Sequence, residues 1–466
     1  MPQPSEVILR KLDFEPTEKQ LQFFKQLDAL LDERSQKKML LLKGYAGTGK
    51  TTLISTLVKL LPLFNFKYML LAPTGRAAKV ISSYSDRSAF TIHKIVFKQV
   101  VREDGSVGFE RRKNYSKRTV FVVDEASMLS SQSMYGRKSL LDEVISFVFE
   151  HDTNRLIIVG DNAQLPPVGQ ENSNSLDQQF LANRFKQGLQ VTGLTEVIRQ
   201  QAGSGILVNA TKLREELQKD KAAISFTIGP YKDIYRMTGE RLDDGIRYAY
   251  DKYGQDQAMV VCRSNKSAYQ YNQYIRQRIF YFENELDAGD VLMIARNNYH
   301  HLDSESKAGF LANGDFARIN KVRTFEEVHG LRFAELELQL LDYPDEPFEA
   351  KIILESLHHD KPSLPDEIVR ALYDSVTLDY EDIEDPKEKQ KSLRKDPYLN
   401  ALQVKFAYAL TCHKSQGGQW QAVFIDQGYM TEEMINHEFI KWLYTAVTRA
   451  RQELFLVNFH SHFFNG

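Results

Sequence analysis

The chain alternates between short apolar runs and longer stretches whose apolar residues recur at helical spacing. Four of the runs are bounded by polar residues, as buried strands are: Met39–Leu42, Tyr68–Ala72, Thr119–Val123 and Leu156–Gly160. After the first run, Leu53, Leu57 and Leu61 mark the apolar face of a helix. Strands that alternate with helices and end in polar residues predict a parallel, doubly wound α/β sheet.

A second α/β unit is predicted from about residue 191 onward. Its strands are three apolar runs, Ala258–Cys262, Val423–Ile425 and Leu454–Val457. Between residues 284 and 360 the pattern changes to short strands separated by turns, at Gly289–Ile294, Asn313–Ile319, Leu331–Leu338 and Phe348–Leu354. This change predicts a small β-barrel inserted into the second unit. The charged segment 361–398 that follows is expected to be helical or loosely ordered.

Residues 97–118 interrupt the alternation of strands and helices. Two strand-like runs flank the turn Glu103–Ser106, which has Asp-Gly at its centre, so the segment predicts a β-hairpin. The return side of this hairpin is basic, with Arg111, Arg112, Lys113, Lys117 and Arg118. Two interpretations stay open, a solvated surface hairpin and a hairpin that contacts nucleic acid.

The overall charge provides no general attraction to nucleic acid, because 60 basic and 62 acidic side chains leave a formal net charge of -2. Any such binding must come from local basic patches. The two cysteines, Cys262 and Cys412, argue against a disulfide framework or a Cys-rich zinc site and fit a reducing compartment. A secretory signal and an apolar run of membrane-spanning length are both lacking, so we expect an intracellular, cytoplasmic protein.

The clearest chemical motif is Gly44–Thr52, which fits the pattern G-x-x-x-x-G-K-[ST] between a predicted strand and a predicted helix. Glycines let this P-loop turn tightly and point N–H groups at phosphate oxygens, and the helix N-terminus favours an anion. Lys50 is predicted to reach the β- and γ-phosphates of ATP, and the Thr51 hydroxyl to ligate Mg²⁺. The predicted nucleotide-binding residues of the loop are Gly44, Ala46, Gly47, Thr48, Gly49, Lys50, Thr51 and Thr52.

An acidic pair, Asp124 and Glu125, directly follows the third predicted strand. Asp124 can hold Mg²⁺, and Glu125 can orient and deprotonate an attacking water. Because the pair follows a P-loop in an α/β pattern, we interpret it as a Walker B motif. Gln164 comes after the next strand, where a strand tip can sense a γ-phosphate.

Three further polar segments stand at predicted strand ends: Pro73–Lys79, Thr91–Lys94 and Cys412–Gly418. Small and hydroxyl residues at such ends, with a helix start behind them, suit contact with a phosphate chain. A lone histidine such as His93 is more often structural, and only its polar neighbours favour a binding role. Upstream of the P-loop, the Gln20 amide can donate to and accept from an adenine edge, although a solvated helix glutamine is the alternative.

Taken in order, these segments resemble the motif series of superfamily 1B helicases, the RecD-like, Dda-like and Pif1-like group that moves 5′ to 3′ on single-stranded DNA. The resemblance runs from about Gln20 to Arg451. Motifs I, Ia, Ib, II, III, IV, V and VI correspond to Gly44–Thr52, Ala72–Lys79, Thr91–Lys94, Val122–Ser127, Gly160–Pro167, Leu194–Gln200, Thr411–Gly418 and Tyr444–Arg451.

The resemblance implies two RecA-like domains in tandem, formed by residues 1–96 with 119–190 and by residues 191–283 with 401–466. The hairpin at 97–118 corresponds to the strand-separating pin, domain 1B. Phe97 and Phe109 then either stack on a base or only pack the hairpin. Residues 284–400 correspond to an SH3-like domain 2B with a charged helical extension.

The resemblance also implies roles for single residues. Gln20 would read adenine, Gln164 would couple the γ-phosphate to DNA, and Gly417 would lie at the nucleotide. Arg199 and Arg449 would be arginine fingers from the second domain, the alternative for each being a surface ion pair. The implied DNA contacts are Pro73, Thr74, Thr91, His93, Asn265, His413, Lys414 and Ser415.

The expected function is that of an ATP- and Mg²⁺-dependent DNA helicase acting as a monomer on single strands and on single-strand/double-strand junctions, with no membrane partner. RNA stays open as a substrate. One alternative is a translocase of the same fold that displaces proteins without separating strands. Another is a nucleic-acid-binding nucleotide switch, against which Glu125 and the two arginines argue, since a switch has little need of a full hydrolytic set. A small-molecule kinase would have no use for the second α/β unit.

Overall fold

In the computed structural model, the described residues are 3–101, 107–133, 138–186, 188–197, 203–219, 223–298, 301–302, 306, 308 and 310–464. The strands in chain order are β1 Met39–Gly44, β2 Lys67–Ala72, β3 Ala89–Thr91, β4 Phe97–Val101, β5 Val107–Arg111, β6 Thr119–Val123, β7 Arg155–Gly160, β8 Leu189–Leu194, β9 Ile234–Met237, β10 Ala258–Cys262, β11 Val291–Ile294, β12 Phe316–Val328, β13 Leu331–Leu340, β14 Pro347–Ile353, β15 Val404–Phe406, β16 Ala409–Thr411, β17 Trp420–Asp426 and β18 Ala450–Val457. The α-helices are α1 Pro4–Leu9, α2 Glu18–Leu31, α3 Lys50–Leu60, α4 Gly75–Ser85, α5 Ile92–Val96, α6 Leu140–Val148, α7 Gln178–Arg184, α8 Gly205–Glu216, α9 Leu242–Tyr253, α10 Asn265–Tyr274, α11 Glu355–His358, α12 Asp366–Leu378, α13 Pro386–Lys395, α14 Cys412–Ser415 and α15 His437–Val447. Within the described ranges, none of the helices has the length and apolar character that crossing a membrane requires.

The first sheet is parallel and has the strand order β3-β2-β6-β7-β1-β8. Every residue of β6 and β7 is buried, as expected of central strands covered on both faces. β7 separates β1 from β6, so the P-loop after β1 and the acidic pair after β6 leave the same edge of the sheet one strand apart. The predicted parallel α/β unit is confirmed.

The second sheet is also parallel, with the order β16-β10-β17-β18-β9. Two parallel-sheet units therefore follow each other along the chain, as predicted. β8 pairs with β1 in the first sheet, which corrects the expected boundary between the units at residue 191. As an edge strand β8 buries only alternate residues, so its apolar signal is weak in the sequence.

Strands β11 to β15 form a third, antiparallel sheet in the order β14-β13-β12-β11-β15. Leu402 closes this sheet on itself, because the Ile353 N–H donates to the Leu402 carbonyl at 2.9 Å and the Leu402 N–H donates to the Lys351 carbonyl at 2.8 Å. The insertion is thus a small barrel, and that it is SH3-like stays a prediction. Because β15 belongs to it, the barrel extends past the expected end at residue 400.

The charged segment after β14 folds into helices α11, α12 and α13. An apolar cluster fixes them on the barrel, with the members Leu331, Phe333, Ile353, Leu364, Leu372, Val376 and Leu393. The helical extension is therefore packed against the barrel rather than loosely ordered. Leu372 and Val376 of α12 and Leu393 of α13 are buried in this cluster, whereas Leu378 at the end of α12 is exposed.

The predicted hairpin at 97–118 is present as the antiparallel pair β4 and β5, while its turn at 102–106 lies outside the described residues. Its basic return side is partly paired with the first α/β unit. Arg111 forms ion pairs with Glu143 at 3.5 Å and with Glu150 at 3.1 Å. These contacts hold the base of the hairpin against α6 and the loop after it.

Candidate nucleotide site and nucleic-acid channel

The P-loop joins β1 to α3, and two glycines with positive φ angles define its shape. Gly47 and Gly49 have φ angles of 78° and 84°, a region that glycine adopts without steric cost. The Lys50 ammonium donates to two carbonyls of the loop itself, at 2.6 and 2.9 Å. Thr51 and Thr52 form the first turn of α3. The loop is therefore a preformed cradle for a phosphate chain, with a cation inside it.

The acidic pair stands opposite this loop at the end of β6. The Asp124 carboxylate accepts the Glu125 N–H at 2.8 Å, and Glu125 has a φ of 50°, a conformation that costs a non-glycine residue about 1–3 kcal/mol. Burial and the neighbouring Glu125 carboxylate raise the pKa of Asp124 to about 6, while the Lys50 ammonium acts in the opposite direction. The raised pKa means that the Asp124 carboxylate has too little positive charge near it. This carboxylate and the Thr51 hydroxyl supply oxygen ligands, which Mg²⁺ prefers.

A buried carboxylate connects the P-loop to the second α/β unit. Asp161 is 1% exposed, and its Oδ2 accepts the Tyr444 hydroxyl hydrogen at 2.7 Å. The same hydroxyl oxygen accepts the N–H of Ala46, a P-loop residue, at 2.9 Å. Tyr444 lies on α15 of the second unit, so one hydroxyl joins both units at the place where phosphates are expected.

The loop after Asp161 makes two more bonds to the second unit. The Leu165 N–H donates to the Thr445 Oγ1 at 2.9 Å, and the Gln416 amide donates to the Leu165 carbonyl at 2.8 Å. We call these two bonds and the Ala46–Tyr444–Asp161 contacts the interdomain clamp. Gln164 lies inside it, buried, and its Oε1 accepts no hydrogen bond from the described part of the chain. That oxygen is available to a donor such as a bound water.

Arg449, a predicted arginine finger, is 3% exposed and is not a surface ion pair. Its guanidinium donates to the carbonyls of Thr445 at 2.9 Å and Gly418 at 3.1 Å. Burial raises the pKa of Asp161, and the positive charges of Lys50 and Arg449 oppose that shift. Arg449 therefore lies near the clamp but is held by its own unit, and its role as a finger stays a prediction.

A cavity of about 1310 Å³ opens beside the clamp, and we call it the channel. Its lining brings together six of the predicted DNA contacts: Pro73, Thr74, Thr91, His93, His413 and Lys414. Thr74 and Thr91 are N-caps that accept backbone N–H groups of α4 and α5, each at 3.2 Å. Capping uses the oxygen and leaves each hydroxyl hydrogen available to a phosphate.

The hairpin reaches the channel through Phe109, an aromatic residue of β5. The His93 ring packs against Phe97 and Phe109, with centroid separations of 5.5 and 6.3 Å. Burial lowers the pKa of His93, so the imidazole is neutral at pH 7. Phe109 also lines the channel. Phe97 therefore packs the hairpin, whereas Phe109 can do so and still face a base.

Lys414 lines the channel and is partly buried. Burial lowers its pKa to about 8, and burial together with the Lys414 charge lowers the pKa of Lys405 to about 8. Both lysines line a smaller cavity of about 40 Å³ that also contains Asn265. Asn265, a predicted DNA contact, thus lies beside the channel rather than in its lining. Two adjacent amines with lowered pKa values favour an anionic ligand.

Two predicted site residues, Ser415 and Gly417, make contacts that stabilise the fold. Ser415 is fully buried and its hydroxyl donates to the Cys412 carbonyl at 2.8 Å, so the predicted DNA contact is not available to it. Gly417 has a φ of 75°, and a Cβ there would lie 2.7 Å from the Ala77 Cβ of α4. This close packing between the units accounts for the glycine, and its contact with the nucleotide stays a prediction.

For two further site residues, Gln20 and Arg199, the expected roles stay predictions. The Gln20 Oε1 accepts the Thr17 N–H at 3.1 Å and completes the capping box of α2, which leaves the amide hydrogens for an adenine. Arg199 lies outside the described residues.

Sequence reasoning missed two residues that hold the units together, Tyr444 and Arg76. The Arg76 guanidinium lies 4.5 Å from the ring centroid of Phe316 and 4.2 Å from that of Trp420, and burial lowers its pKa to about 10. Both residues stand inside recognisable motifs. Their partners come from distant parts of the chain, so the sequence contains no local signal for these contacts.

The fold and site define a P-loop nucleotide hydrolase built of two RecA-like units. An AAA domain family matches residues 24–227, and the UvrD-like helicase C-terminal domain matches residues 406–457. The chain is 26% identical over 456 residues to the ATP-dependent DNA helicase dda of Enterobacteria phage T4. The aligned region covers 91% of this chain and 95% of that protein. It is 30% identical over 182 residues to the ATP-dependent RecD2 DNA helicase of Deinococcus radiodurans, 38% of this chain and 22% of the relative.

Among solved structures, Pif1 helicases described at forked double-stranded DNA share the fold with a TM-score of 0.50 and 14% identity, over 97% of this chain and 95% of that one. Together, the two family matches and the similarity to DNA helicases confirm the resemblance to superfamily 1B helicases found in the motifs.

Replacing Tyr444 by Phe tests the clamp. Loss of the hydroxyl leaves a buried P-loop N–H and the Asp161 carboxylate each short of a partner, which costs about 1–3 kcal/mol. We expect the free energy of unfolding to fall by about that amount, and the stimulation of ATP hydrolysis by single-stranded DNA to fall severalfold. Urea denaturation and ATPase assays with and without DNA measure the two effects.

The matched control is Tyr408→Phe, because the Tyr408 hydroxyl is equally buried and donates to the Asp290 Oδ1 at 2.8 Å, away from the nucleotide site. We expect a similar loss of stability with unchanged stimulation by DNA. Equal losses of stimulation in both variants would contradict a coupling role for the clamp.

Proposed function

We propose that this protein is an ATP-driven helicase that moves 5′ to 3′ on single-stranded DNA and separates strands at a single-strand/double-strand junction. The observation that carries the proposal is the channel, because loops of both α/β units line it and the same two units meet at the P-loop. The direction of movement rests on the family alone. The names of the relatives, all DNA helicases where an activity is given above, support DNA as the substrate.

At the nucleotide site, each residue has a distinct proposed task. The Lys50 ammonium exchanges its two loop carbonyls for phosphate oxygens of ATP, and Glu125 deprotonates the attacking water. Thr51 and Asp124 would hold Mg²⁺, which supplies positive charge to the phosphates. Arg449 stabilises the charge that develops on the transferred group once the units have moved together.

The clamp supplies a route from the nucleotide to the channel. A phosphate oxygen and the Tyr444 hydroxyl compete for the same Ala46 N–H, so ATP binding favours a rearranged clamp. Gln416 belongs to the clamp and stands two residues after Lys414, which lines the channel. Each cycle of ATP binding and hydrolysis would therefore alter the grip of the channel on DNA.

Duplexes with a single 5′ or 3′ tail test activity and direction together. We expect ATP-dependent unwinding of the 5′-tailed duplex and little of the 3′-tailed one. Lys50→Ala is the control: ATP turnover is lost because the phosphate contact is lost, while binding to single-stranded DNA is retained. Preferred unwinding of the 3′-tailed duplex would contradict the direction, and undiminished DNA-stimulated ATPase in Lys50→Ala would contradict the mechanism.

Shortening the hairpin separates the helicase from a translocase that does not unwind. Replacement of residues 99–108 by a short Gly-Ser turn is expected to abolish strand separation but to preserve DNA-stimulated ATPase, since the replaced segment contains no residue of the P-loop or the clamp. As a control, Lys98→Ala removes the ion pair with Glu110 at 3.2 Å and leaves the hairpin in place. Undiminished unwinding without the hairpin would show that it is not the wedge.

Lys414 makes the affinity for single-stranded DNA depend on pH. Because its pKa is lowered to about 8, its charge is present below that pH and is lost as the pH rises above it. We expect affinity for a thymidine oligonucleotide in 0.1 M salt to fall about fivefold between pH 7 and pH 9, the contribution of roughly one phosphate contact. Fluorescence anisotropy measures it.

Lys414→Arg keeps the charge at both pH values, so the pH dependence should disappear in this variant. Lys405→Arg is the matched control, because the pKa of Lys405 is also about 8 while the side chain lies outside the channel lining. A fall of the same size in Lys414→Arg as in the unmodified protein would show that another group is responsible.

A further inference from the structure

The channel has a second wall that none of the helicase motifs includes. The helical extension and the start of the barrel insertion form this wall, and the loops that follow β2, β3 and β16 line the same cavity. Its charged members are Arg296, Asp366, Arg370 and Arg394, and Tyr373 and Gln390 lie on the same two helices. Sequence analysis gave this part of the chain no functional role.

The spacing of these residues shows that each helix turns one face to the channel. On α12, Asp366, Arg370 and Tyr373 follow one another at intervals of four and three residues, and on α13 Gln390 and Arg394 are four residues apart. Residues at such intervals lie one above another on a helix. Each helix thus presents a stripe of polar residues to the cavity, beside apolar residues such as Val369 and Leu393.

Packing fixes both helices in this orientation. Leu372 and Val376 of α12 and Leu393 of α13 are buried in the apolar cluster with Phe333 of the barrel. The stripes are therefore attached to a folded scaffold and not to a loose segment. A fixed array of side chains can hold a ligand without the full entropic cost of ordering it.

The charges of the wall are unbalanced. Arg296, Arg370 and Arg394 are exposed in the cavity, and within the described ranges no carboxylate forms an ion pair with them. Asp366 is the acidic residue of the described lining. The surplus of cations is local, since the whole chain has a net charge of -2.

Other arginines of the insertion have carboxylate partners. Arg318 is paired with Asp256 at 2.6 Å, Arg323 with Glu337 at 3.3 Å and Arg332 with Glu285 at 3.0 Å. Among the described residues of the insertion, the contrast between these paired arginines and the unpaired ones in the channel favours a ligand that brings its own negative charge.

We propose that Arg296, Arg370 and Arg394, which we call the arginine wall, bind the phosphates of single-stranded DNA on the side opposite the motif loops, and that Tyr373 faces a base. A groove of cations with an aromatic side chain between them is the usual platform for a single strand. The inference rests on the proposed function, because DNA must occupy the channel.

The test is the salt dependence of DNA binding, since each phosphate contact to a single strand contributes about 0.7 to the slope of log affinity against log salt concentration. Affinity of the full chain for a thymidine oligonucleotide is measured by fluorescence anisotropy over a series of salt concentrations. In the double variant Arg370→Ala, Arg394→Ala we expect the slope to shrink by about 1.4 and the affinity in 0.1 M salt to fall about 25-fold.

Two further variants make the result specific. Lys391 and Lys395 are exposed on α13 outside the channel lining, so changing both to Ala removes the same charge from the same extension and should leave the slope unchanged. Arg370→Lys with Arg394→Lys keeps the charges and should keep the slope, which separates loss of charge from loss of fold. An unchanged slope in the arginine-to-alanine variant, or an equal decrease in the lysine control, overturns the arginine wall.

The failure of this inference differs from failure of the proposed function. If the unmodified protein binds the oligonucleotide and DNA stimulates its ATPase while all variants share one slope, only the arginine wall is wrong. If the unmodified protein shows no salt-dependent binding and no stimulation, the proposed function fails and the inference with it.

Discussion

The structure depends on one buried carboxylate, that of Asp161, at the boundary between the two α/β units. A buried charge is costly unless hydrogen bonds surround it. Here the Ala163 N–H donates to it at 3.0 Å from the first unit, and the Tyr444 hydroxyl donates at 2.7 Å from the second. Because the partners come from both units, the carboxylate is fully satisfied only when the units are together. The geometry of the nucleotide site follows from this condition.

A second contact holds the units together on the channel side. The Arg76 guanidinium extends from α4 between Phe316 of the barrel and Trp420 of the second sheet, and desolvated cation–π contacts of this kind contribute about 2 kcal/mol. The same helix begins at Thr74, which lines the channel. A movement that separates the units at the nucleotide therefore displaces a channel residue as well. A path through one helix, α4, and one loop is therefore enough to connect the nucleotide site with the channel.

The sequence predicts those features whose cause is local. Buried strands are continuous apolar runs, and the chemistry of Lys50 and Asp124 follows directly from their position after such runs. Long-range packing is different. Ser415 stands at the sequence position of a DNA contact, yet its hydroxyl donates to the Cys412 carbonyl in the same turn. Gly417 is required because α4 of the other unit approaches it closely. Tyr444 has two partners from distant segments, so nothing near it in the sequence indicates its role.

The distribution of arginines also explains how a nearly neutral chain can present a cationic channel. Electrostatic potential depends on where charges lie, and a cleft with low-dielectric walls concentrates it. Outside the channel, arginines of the insertion such as Arg318 and Arg323 are neutralised by carboxylates within ion-pair distance, and they serve the stability of the fold. Inside it, Arg370 and Arg394 face the cavity on helices that apolar residues such as Val376 and Leu393 hold on the barrel. The surplus of cations in the channel thus arises from the placement of acidic residues away from it, and the insertion contributes three of those cations, Arg296, Arg370 and Arg394.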